Sequence, residues 1–294
     1  MNLIVITGPT ASGKSALALE IAQMVGGEII SADSRQVFRD LPVATAQPDP
    51  QQLALVPHHF VGNLPLDSYF SASEFEQQAL ALIADMMERG VQPVVCGGSM
   101  MYVDALCNGL DRLPTVSDSL RDSLCLKWQQ CGDEWLLDEL RRLDPDYYET
   151  VDRCNLKRVF HAVEISMQAG APYSSLIGQE KPARPFPIRK YAIRMDREQL
   201  FARINARVEA MVESGLVEEV KAVAGYRALN SMNTVGVKEI LAYLDGTMDL
   251  PRAVARLQKN TRVYAKKQLT WLKRDPDIFW GTHEEIIADI KRLL

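Results

Sequence analysis

Hydrophobic and polar positions follow two different periods in the first hundred residues. Residues 3–7, 28–32 and 92–96 are short apolar runs bounded by glycine, proline or polar residues, and runs of this length predict buried strands. Residues 14–25 and 73–89 carry apolar side chains at helical spacing and are followed by glycine, as helix ends often are. The alternation of strand and helix predicts an α/β fold in which helices cover both faces of a parallel sheet.

The pattern changes after residue 112. Residues 113–185 contain helical stretches, no convincing strand and a proline-rich end, "EKPARPFPIRK", which is typical of a linker. Residues 190–195 then predict a strand that returns to the sheet, and helices follow it, with the short strand "DIFW" before the last one. We therefore predict a core domain of residues 1–112 and 186–294 with an inserted all-helical module of residues 113–185.

Composition and charge narrow the functional class. Of the 294 residues 47% are hydrophobic, and the formal net charge is −5, which by itself argues against a nucleic-acid partner. Residues 259–274, however, contain six basic residues and no acid. The average charge therefore conceals a basic patch.

Two further features concern location and metals. No run approaches the roughly 20 apolar residues of a membrane span, and the first residues lack the basic leader of a secretory signal, so we expect a cytoplasmic protein. The five cysteines form no C-x-x-C pair, which predicts reduced thiols and no zinc site. His58 and His59 lack the spacing of helical metal ligands, and we interpret them as loop residues.

The stretch "GPTASGKS" (residues 8–15) has the full spacing of a phosphate-binding P-loop. Its position between a predicted strand and a predicted helix allows backbone N–H groups and the helix dipole to bind phosphate oxygens. Lys14 supplies a positive charge, and the Ser15 hydroxyl is placed to bind Mg²⁺. P-loops usually bind a nucleotide such as ATP. The apolar run 92–96, however, ends without the carboxylate that such an NTPase uses to hold Mg²⁺.

The nearest carboxylate is Asp33, which follows the second predicted strand. Because ligands bind at the carboxyl ends of parallel strands, we expect Asp33 to lie near the bound phosphates, although it could also cap a short helix. Two reactions suit an acid beside a diphosphate site. In a kinase the acid would accept a proton from a hydroxyl during phosphoryl transfer; in an alkyl transferase it would accept one from the attacking atom while pyrophosphate leaves.

Several motifs together resemble the tRNA dimethylallyltransferase family: "GPTASGKS", "SADSRQVF", "VPHHFVG", "YFSASEF", "VVCGGSMMYVDAL" and "TRVYAKKQLTWLKR". The resemblance covers nearly the whole chain. It implies transfer of a dimethylallyl group from dimethylallyl diphosphate to N6 of adenosine 37, in the anticodon stem-loop of tRNAs that read codons beginning with U. Pyrophosphate is the second product, Mg²⁺ is the expected cofactor, and a monomer is the expected state.

The resemblance also implies roles for individual residues. Asp33 would be the catalytic base, with Lys14 and Arg207 as the other catalytic residues. The diphosphate would be bound by residues of the P-loop, namely Gly8, Pro9, Thr10, Ala11, Ser12, Gly13, Lys14 and Ser15, of which Ser15 is also the metal ligand. The tRNA would contact residues of both predicted domains, namely Asp33, Ser34, Arg35, Gln36, Ser99, Arg121, Lys157, Arg158, His161, Lys266 and Lys267.

Two positions depart from the family pattern. The family often has arginine where this chain has His161, and tyrosine where it has Val237, so a stacking role at 237 is not expected. The alternatives are an adenylate isopentenyltransferase, a small-molecule kinase and a nucleotide-dependent RNA-binding switch. The inserted module and the basic C-terminal helix favour a tRNA substrate over a free nucleotide.

Overall fold

The structure is a computed structural model that describes residues 1–181 and 183–293. The chain divides into two compact units. Unit 1 comprises Met1–Asn108 and the chain from Arg184 onward, and unit 2 is Gly109–Ala183. The sequence placed these boundaries at 113 and 185, a few residues later.

Unit 1 contains a six-stranded sheet in which every neighbouring pair is parallel. The order of the strands across the sheet is β3-β2-β4-β1-β5-β6. The strands are β1 (Leu3–Thr7), β2 (Gly27–Ser31), β3 (His58–His59), β4 (Gln92–Gly97), β5 (Ile188–Ile193) and β6 (Ile278–Gly281).

Alternate side chains of β1 supply two separate hydrophobic cores. Ile4 and Ile6 pack on one face with α1 (Lys14–Val25), while Leu3 and Val5 pack on the other. All five residues of β1 are buried, because a central parallel strand has helices on both of its faces. This arrangement confirms the predicted α/β class with a doubly covered parallel sheet.

The other helices fall into three stretches of the chain: before unit 2, within unit 2 and after it. Those before it are α2 (Pro42–Thr45), α3 (Pro50–Leu55), α4 (Ala72–Glu88) and α5 (Met100–Asn108). Those of unit 2 are α6 (Asp118–Leu143), α7 (Pro145–Thr150), α8 (Leu156–Ala169) and α9 (Tyr173–Leu176). Those after it are α10 (Arg197–Glu213), α11 (Leu216–Ala222), α12 (Val237–Leu244), α13 (Leu250–Leu272) and α14 (His283–Leu293).

A third core of unit 1 joins the C-terminal helices to the segment after β2. Leu216 and Val237 pack there with Leu257 of α13 and with Phe38 and Leu41. Val237 has no exposed surface, which agrees with the expectation that it does not stack on a ligand. This core holds the chain after Asp33 against the helices that carry Arg207 and the basic run.

Unit 2 has its own core and, within its described residues, no strand. Leu136 and Leu140 of α6 pack against Val159 and Val163 of α8. Helix α6 is kinked at Gly132, where φ is 81°. The helical character of this segment is as the sequence predicted.

Some predicted boundaries were wrong. Strand β5 begins two residues earlier than the predicted 190–195, and the sequence did not identify α5. His58 and His59 are not loop residues, because they form β3 and pair with Ile29 and Ile30 of β2.

Arg184 lies where the chain re-enters unit 1. Its guanidinium donates to the carbonyl oxygens of Ala105 and Leu106 in the last turn of α5 and pairs with Glu76. The end of the first chain segment is thereby joined to the start of the second. In the described ranges, 1–181 and 183–293, we find no helix with the length and hydropathy to cross a membrane.

Candidate active site

The P-loop between β1 and α1 is held in an unusual backbone conformation. Gly8, Ala11 and Gly13 have φ values of 151°, 65° and 97°, and the N–H of Ser12 donates to the carbonyl of Pro9. A Cβ at Gly8 would lie 3.0 Å from the Ser12 hydroxyl, so the turn requires glycine there. The loop leads directly into α1, whose first N–H groups have no partner within the helix.

Two cations lie beside this loop. The half-buried ammonium of Lys14 donates to the Pro9 carbonyl over 3.4 Å. Burial lowers the pKa of Lys14, and nearby Arg207 lowers it further, whereas Cys96 and Asp33 act to raise it. Burial likewise lowers the pKa of Arg207, and Asp33 opposes that effect. A bound diphosphate would relieve the mutual repulsion of these two cations.

The two loop hydroxyls differ in their surroundings. The Ser12 side-chain oxygen is buried and has no hydrogen-bond partner, so it is free to donate to a ligand. Ser15 is exposed and lines a cavity of about 200 Å³, the loop-side cavity, together with Lys14, Arg207 and other loop residues. Mg²⁺ is commonly held by few protein oxygens, by water and by substrate phosphates, and the accessible Ser15 hydroxyl fits that role.

Arg203 also lines the loop-side cavity, although the sequence analysis did not select it. Its guanidinium nitrogen lies 3.2 Å from the position a Cβ of Gly13 would occupy. It precedes Arg207 by four residues on α10, so the two side chains share one helix face. That spacing in "LFARINARV" is the signal by which the sequence could have identified it.

A larger cavity of about 420 Å³ is also lined by Arg207, and we call it the Asp33 cavity. It brings together six residues that the sequence analysis selected from four separate stretches. These are Thr10, Asp33, Ser34, Arg35, Ser99 and Arg207.

Asp33 has a structural contact as well as a place in this cavity. Its carboxylate accepts the N–H of Arg35 over 2.9 Å, which fixes the turn after β2 in the manner of an Asx turn. The second carboxylate oxygen has no hydrogen-bond partner among the described residues. The capping role considered from the sequence and the chemical role are therefore compatible.

Ser99 orders the neighbouring turn. Its hydroxyl accepts the N–H of Ser34 over 2.8 Å and donates to the Ser34 hydroxyl over 3.1 Å. Tyr264 of α13, which the sequence analysis did not select, also lines the Asp33 cavity and interacts with Ser99. Burial raises the pKa of Tyr264 to about 12, and the negative charge of Asp33 adds to that effect, so its hydroxyl stays protonated near neutral pH.

Arg35 and Gln36 have different environments. Arg35 lines the Asp33 cavity and donates to the carbonyl of Asn230 over 3.0 Å. Gln36 lies outside that cavity. Its amide donates to the carbonyls of Thr45 and Ala46 and accepts the Ser31 hydroxyl, so its polar atoms are engaged with the protein.

The basic run of α13 has two faces. Lys266 and Lys267 are exposed, and the Lys266 ammonium lies 5.6 Å from the centre of the Phe201 ring. Trp271 packs against buried residues of two cores. It therefore contributes to packing, while the lysines remain accessible.

Gln268, on the buried face of α13, contacts the P-loop. Its side-chain oxygen accepts the N–H of Thr10 over 2.9 Å, and its nitrogen donates to the carbonyl of Gly98 over 2.8 Å. The side chain is 2% exposed. The sequence analysis treated this helix as a basic surface and did not select its buried glutamine.

Two of the four selected residues of unit 2 contact a buried acid, Glu164, which is 4% exposed. Arg121 and His161 both bind its carboxylate, at 2.9 Å and 3.0 Å. Burial acts to raise the pKa of Glu164, but the hydrogen bonds from His161 and Arg121 outweigh it and hold the pKa below its ordinary value. Lys157 and Arg158 are exposed in the first turn of α8.

Relatives cover almost the whole chain. Residues 36–275 match a protein-family model described as IPP transferase. The tRNA dimethylallyltransferase 1 of Bacteroides thetaiotaomicron is 48% identical over 97% of this chain and 92% of that protein. The tRNA dimethylallyltransferase 2 of Parabacteroides distasonis is 47% identical over 98% of this chain and 96% of that protein.

Two solved structures are also similar to almost the whole of this chain. The tRNA isopentenylpyrophosphate transferase of Bacillus halodurans has a TM-score of 0.73 at 31% identity, covering 99% of this chain and 95% of that chain. A eukaryotic dimethylallyltransferase acting on tRNA has a TM-score of 0.83 at 26% identity, covering 96% of this chain and 74% of that chain.

Proposed function

The chain belongs to the IPP transferase family, and on that basis we propose that it is a tRNA dimethylallyltransferase. It transfers a dimethylallyl group from dimethylallyl diphosphate to N6 of adenosine 37 in tRNAs that read codons beginning with U. The products are N6-(dimethylallyl)adenosine and pyrophosphate. The names of the relatives at 47–48% identity support the acceptor.

In the proposed reaction one bond forms at N6 and one breaks at the diphosphate. The amino nitrogen attacks the allylic carbon, the C–O bond to the diphosphate breaks with its electron pair, and the amino proton passes to the Asp33 carboxylate. An adenine amine is a weak nucleophile, so its placement and the removal of its proton carry much of the catalysis. The partner-free oxygen of Asp33 in the Asp33 cavity supports the role of base.

The P-loop binds the diphosphate in this proposal. Lys14 and Arg207 balance the charge that develops on the leaving group, and the Ser12 hydroxyl donates to it. The Ser15 hydroxyl would hold Mg²⁺, and the ion would supply further charge stabilisation at the leaving group.

The Asp33 cavity accepts the target base. Its volume of about 420 Å³ falls within the roughly 300–1,000 Å³ of small-molecule sites. A base in an anticodon loop reaches such a pocket only when it is unstacked. Ser34, Arg35 and Ser99 then contact the base and its neighbours. Gln36 acts on them indirectly, by binding the carbonyl of Thr45, a residue that lines the cavity.

The basic side chains bind the anticodon stem-loop. Lys266 and Lys267 supply exposed positive charge on α13, and Lys157 and Arg158 supply it on α8 of unit 2. Arg121 and His161 of unit 2, which both bind the Glu164 carboxylate, also contact the stem-loop in this proposal. We further propose that the enzyme acts in the cytoplasm as a monomer.

The observation that carries the proposal is the position of Arg207. It lines both the Asp33 cavity and the loop-side cavity, so the proposed base and the phosphate loop share one cationic wall. An ATP-dependent kinase could use the same acid, but β4 ends without the Mg²⁺-binding carboxylate of P-loop NTPases.

One competition assay tests the proposal against its alternatives. The protein is mixed with unmodified tRNA, AMP, ATP, Mg²⁺ and labelled dimethylallyl diphosphate. We expect label in tRNA alone, at a single adenosine that nuclease mapping places at position 37. Label in AMP would instead indicate an adenylate isopentenyltransferase, and ATP consumption without prenyl transfer would indicate a kinase. ATP binding without any turnover would indicate an RNA-binding switch.

A further inference from the structure

The buried side chain of Gln268 joins α13 to the P-loop and to the turn after β4. Gln268 of α13 binds the N–H of Thr10 in the P-loop and the carbonyl of Gly98 in the turn after β4. Both atoms of its amide are used, and the side chain is 2% exposed. It contacts residues 258 and 170 positions away along the chain, so no local structure requires it.

The connection continues from Gly98 to the proposed base. Ser99 follows Gly98 directly, and its hydroxyl accepts the N–H of Ser34, the residue next to Asp33. One hydrogen-bonded path therefore runs from the Gln268 amide through the turn after β4 to the turn that carries Asp33. The oxygen of the same amide accepts the N–H of Thr10 in the P-loop.

The site is built tightly around this amide. A Cβ at Gly98 would lie 2.5 Å from the Gln268 nitrogen and 3.0 Å from the carbonyl oxygen of Gly8. The amide nitrogen thus occupies space that a Cβ at 98 would need. Because the contacts are this close, a change in the amide shifts the two turns relative to each other.

We propose that Gln268 is a positioning residue that sets the separation between the P-loop and Asp33. The inference rests on the proposed function, since it assigns the amide to the alignment of the diphosphate with the base that accepts the amino proton. Misplacement by about 1 Å can cost roughly 100-fold in rate. A residue that does not touch substrate can therefore control turnover.

Gln268→Glu tests the proposal, because the introduced carboxylate keeps an acceptor for Thr10 but cannot donate to Gly98. We expect kcat for prenyl transfer to fall about 100-fold at pH 8, with the KM for tRNA changed less than threefold. When pH is lowered, the carboxyl protonates and regains a donor, so the ratio of variant to wild-type kcat should rise. Gln77→Glu, at an exposed position on α4, is the matched control and should track the wild type at every pH.

A second variant and a binding measurement complete the test. Gln268→Met keeps the volume and removes both hydrogen bonds, and we expect it to lose kcat without recovery at low pH. Calorimetric titration with inorganic pyrophosphate should give a Kd roughly fivefold weaker for Gln268→Met, which loses the one hydrogen bond on the loop, and a smaller change for Gln268→Glu, which keeps that bond. Circular dichroism verifies that each variant is folded.

The outcomes separate this inference from the proposed function. Loss of less than threefold in kcat for folded Gln268→Met, or a flat pH ratio for Gln268→Glu, would overturn the positioning role. Absence of prenyl transfer by the wild type would overturn the proposed function instead. The pyrophosphate titration would still report whether Gln268 holds the loop.

Discussion

Replacement of Asp33 by asparagine separates its proposed chemistry from its structural contact. The side-chain oxygen of asparagine can still accept the N–H of Arg35, which the carboxylate accepts over 2.9 Å. The turn after β2 should therefore persist, while the group that accepts a proton is lost. General-base catalysis contributes about 10²–10⁴-fold, so we expect kcat to fall by that factor, equivalent to roughly 3–5 kcal/mol in the barrier.

The electrostatics give a second, opposite expectation. The negative charge of Asp33 acts to raise the pKa values of Lys14, Arg35 and Arg207, so it attracts all three cations. Without that charge the surroundings of the P-loop become more positive. We therefore expect pyrophosphate to bind Asp33→Asn as tightly as wild type or more tightly.

Single-turnover prenyl transfer at saturating tRNA, together with pyrophosphate titration, measures both quantities. Asp33→Ala serves as a comparison, because it removes the turn contact as well as the base and should also lower thermal stability. Transfer by Asp33→Asn within threefold of wild type would refute the role of base. A parallel loss of pyrophosphate affinity would refute the electrostatic reasoning.

Three further predictions concern packing, pH and charge. A Cβ at Gly97 would overlap the backbone of Ala32, so Gly97→Ala should destabilise unit 1 by about 1–3 kcal/mol or more in urea unfolding. Glu164 has its pKa held below the ordinary 4.5, so its contribution to stability is present above that pH and is lost as pH falls below it; Glu164→Gln should flatten this acid dependence in thermal melts. The double variant Lys266→Glu and Lys267→Glu should raise the KM for tRNA and reduce its salt dependence, with the KM for dimethylallyl diphosphate nearly unchanged.

Each of these has a control or a contrary result. Gly225→Ala, where an added Cβ meets nothing within 4 Å, should be nearly neutral. An acid transition that is identical in Glu164→Gln and wild type would contradict the role of the Glu164 ion pairs. Equal losses for both substrates in the lysine variant would indicate misfolding rather than a tRNA contact.

The sequence predicted those parts of the fold that local patterns determine. Helix α1 was predicted at its observed bounds, 14–25, because the helical spacing of its apolar side chains and the glycine that follows it agree. Strand β3 was missed because a two-residue edge strand has no periodicity of its own. Its existence depends on pairing with β2.

The same division applies to the candidate site. Lys14 and Asp33 could be selected because each lies directly in a recognisable local motif after a predicted strand. Tyr264 and Gln268 could not, because their importance comes from partners far away in the chain. The sequence of α13 indicates a basic, exposed helix, and nothing near Gln268 in the sequence marks it as buried. Its role becomes visible only when the fold places Thr10 and Gly98 beside it.

The Arg184 contacts bear on how such a chain could have been assembled. Arg184 ties the point where unit 1 resumes to the last turn of α5, where it breaks off. Residues of unit 1 alone thus connect the two ends of its chain at the insertion point. Unit 2 has a separate core. Because each unit has a core of its own, a variant in which a short glycine bridge replaces Gly109–Ala183 should retain a folded unit 1.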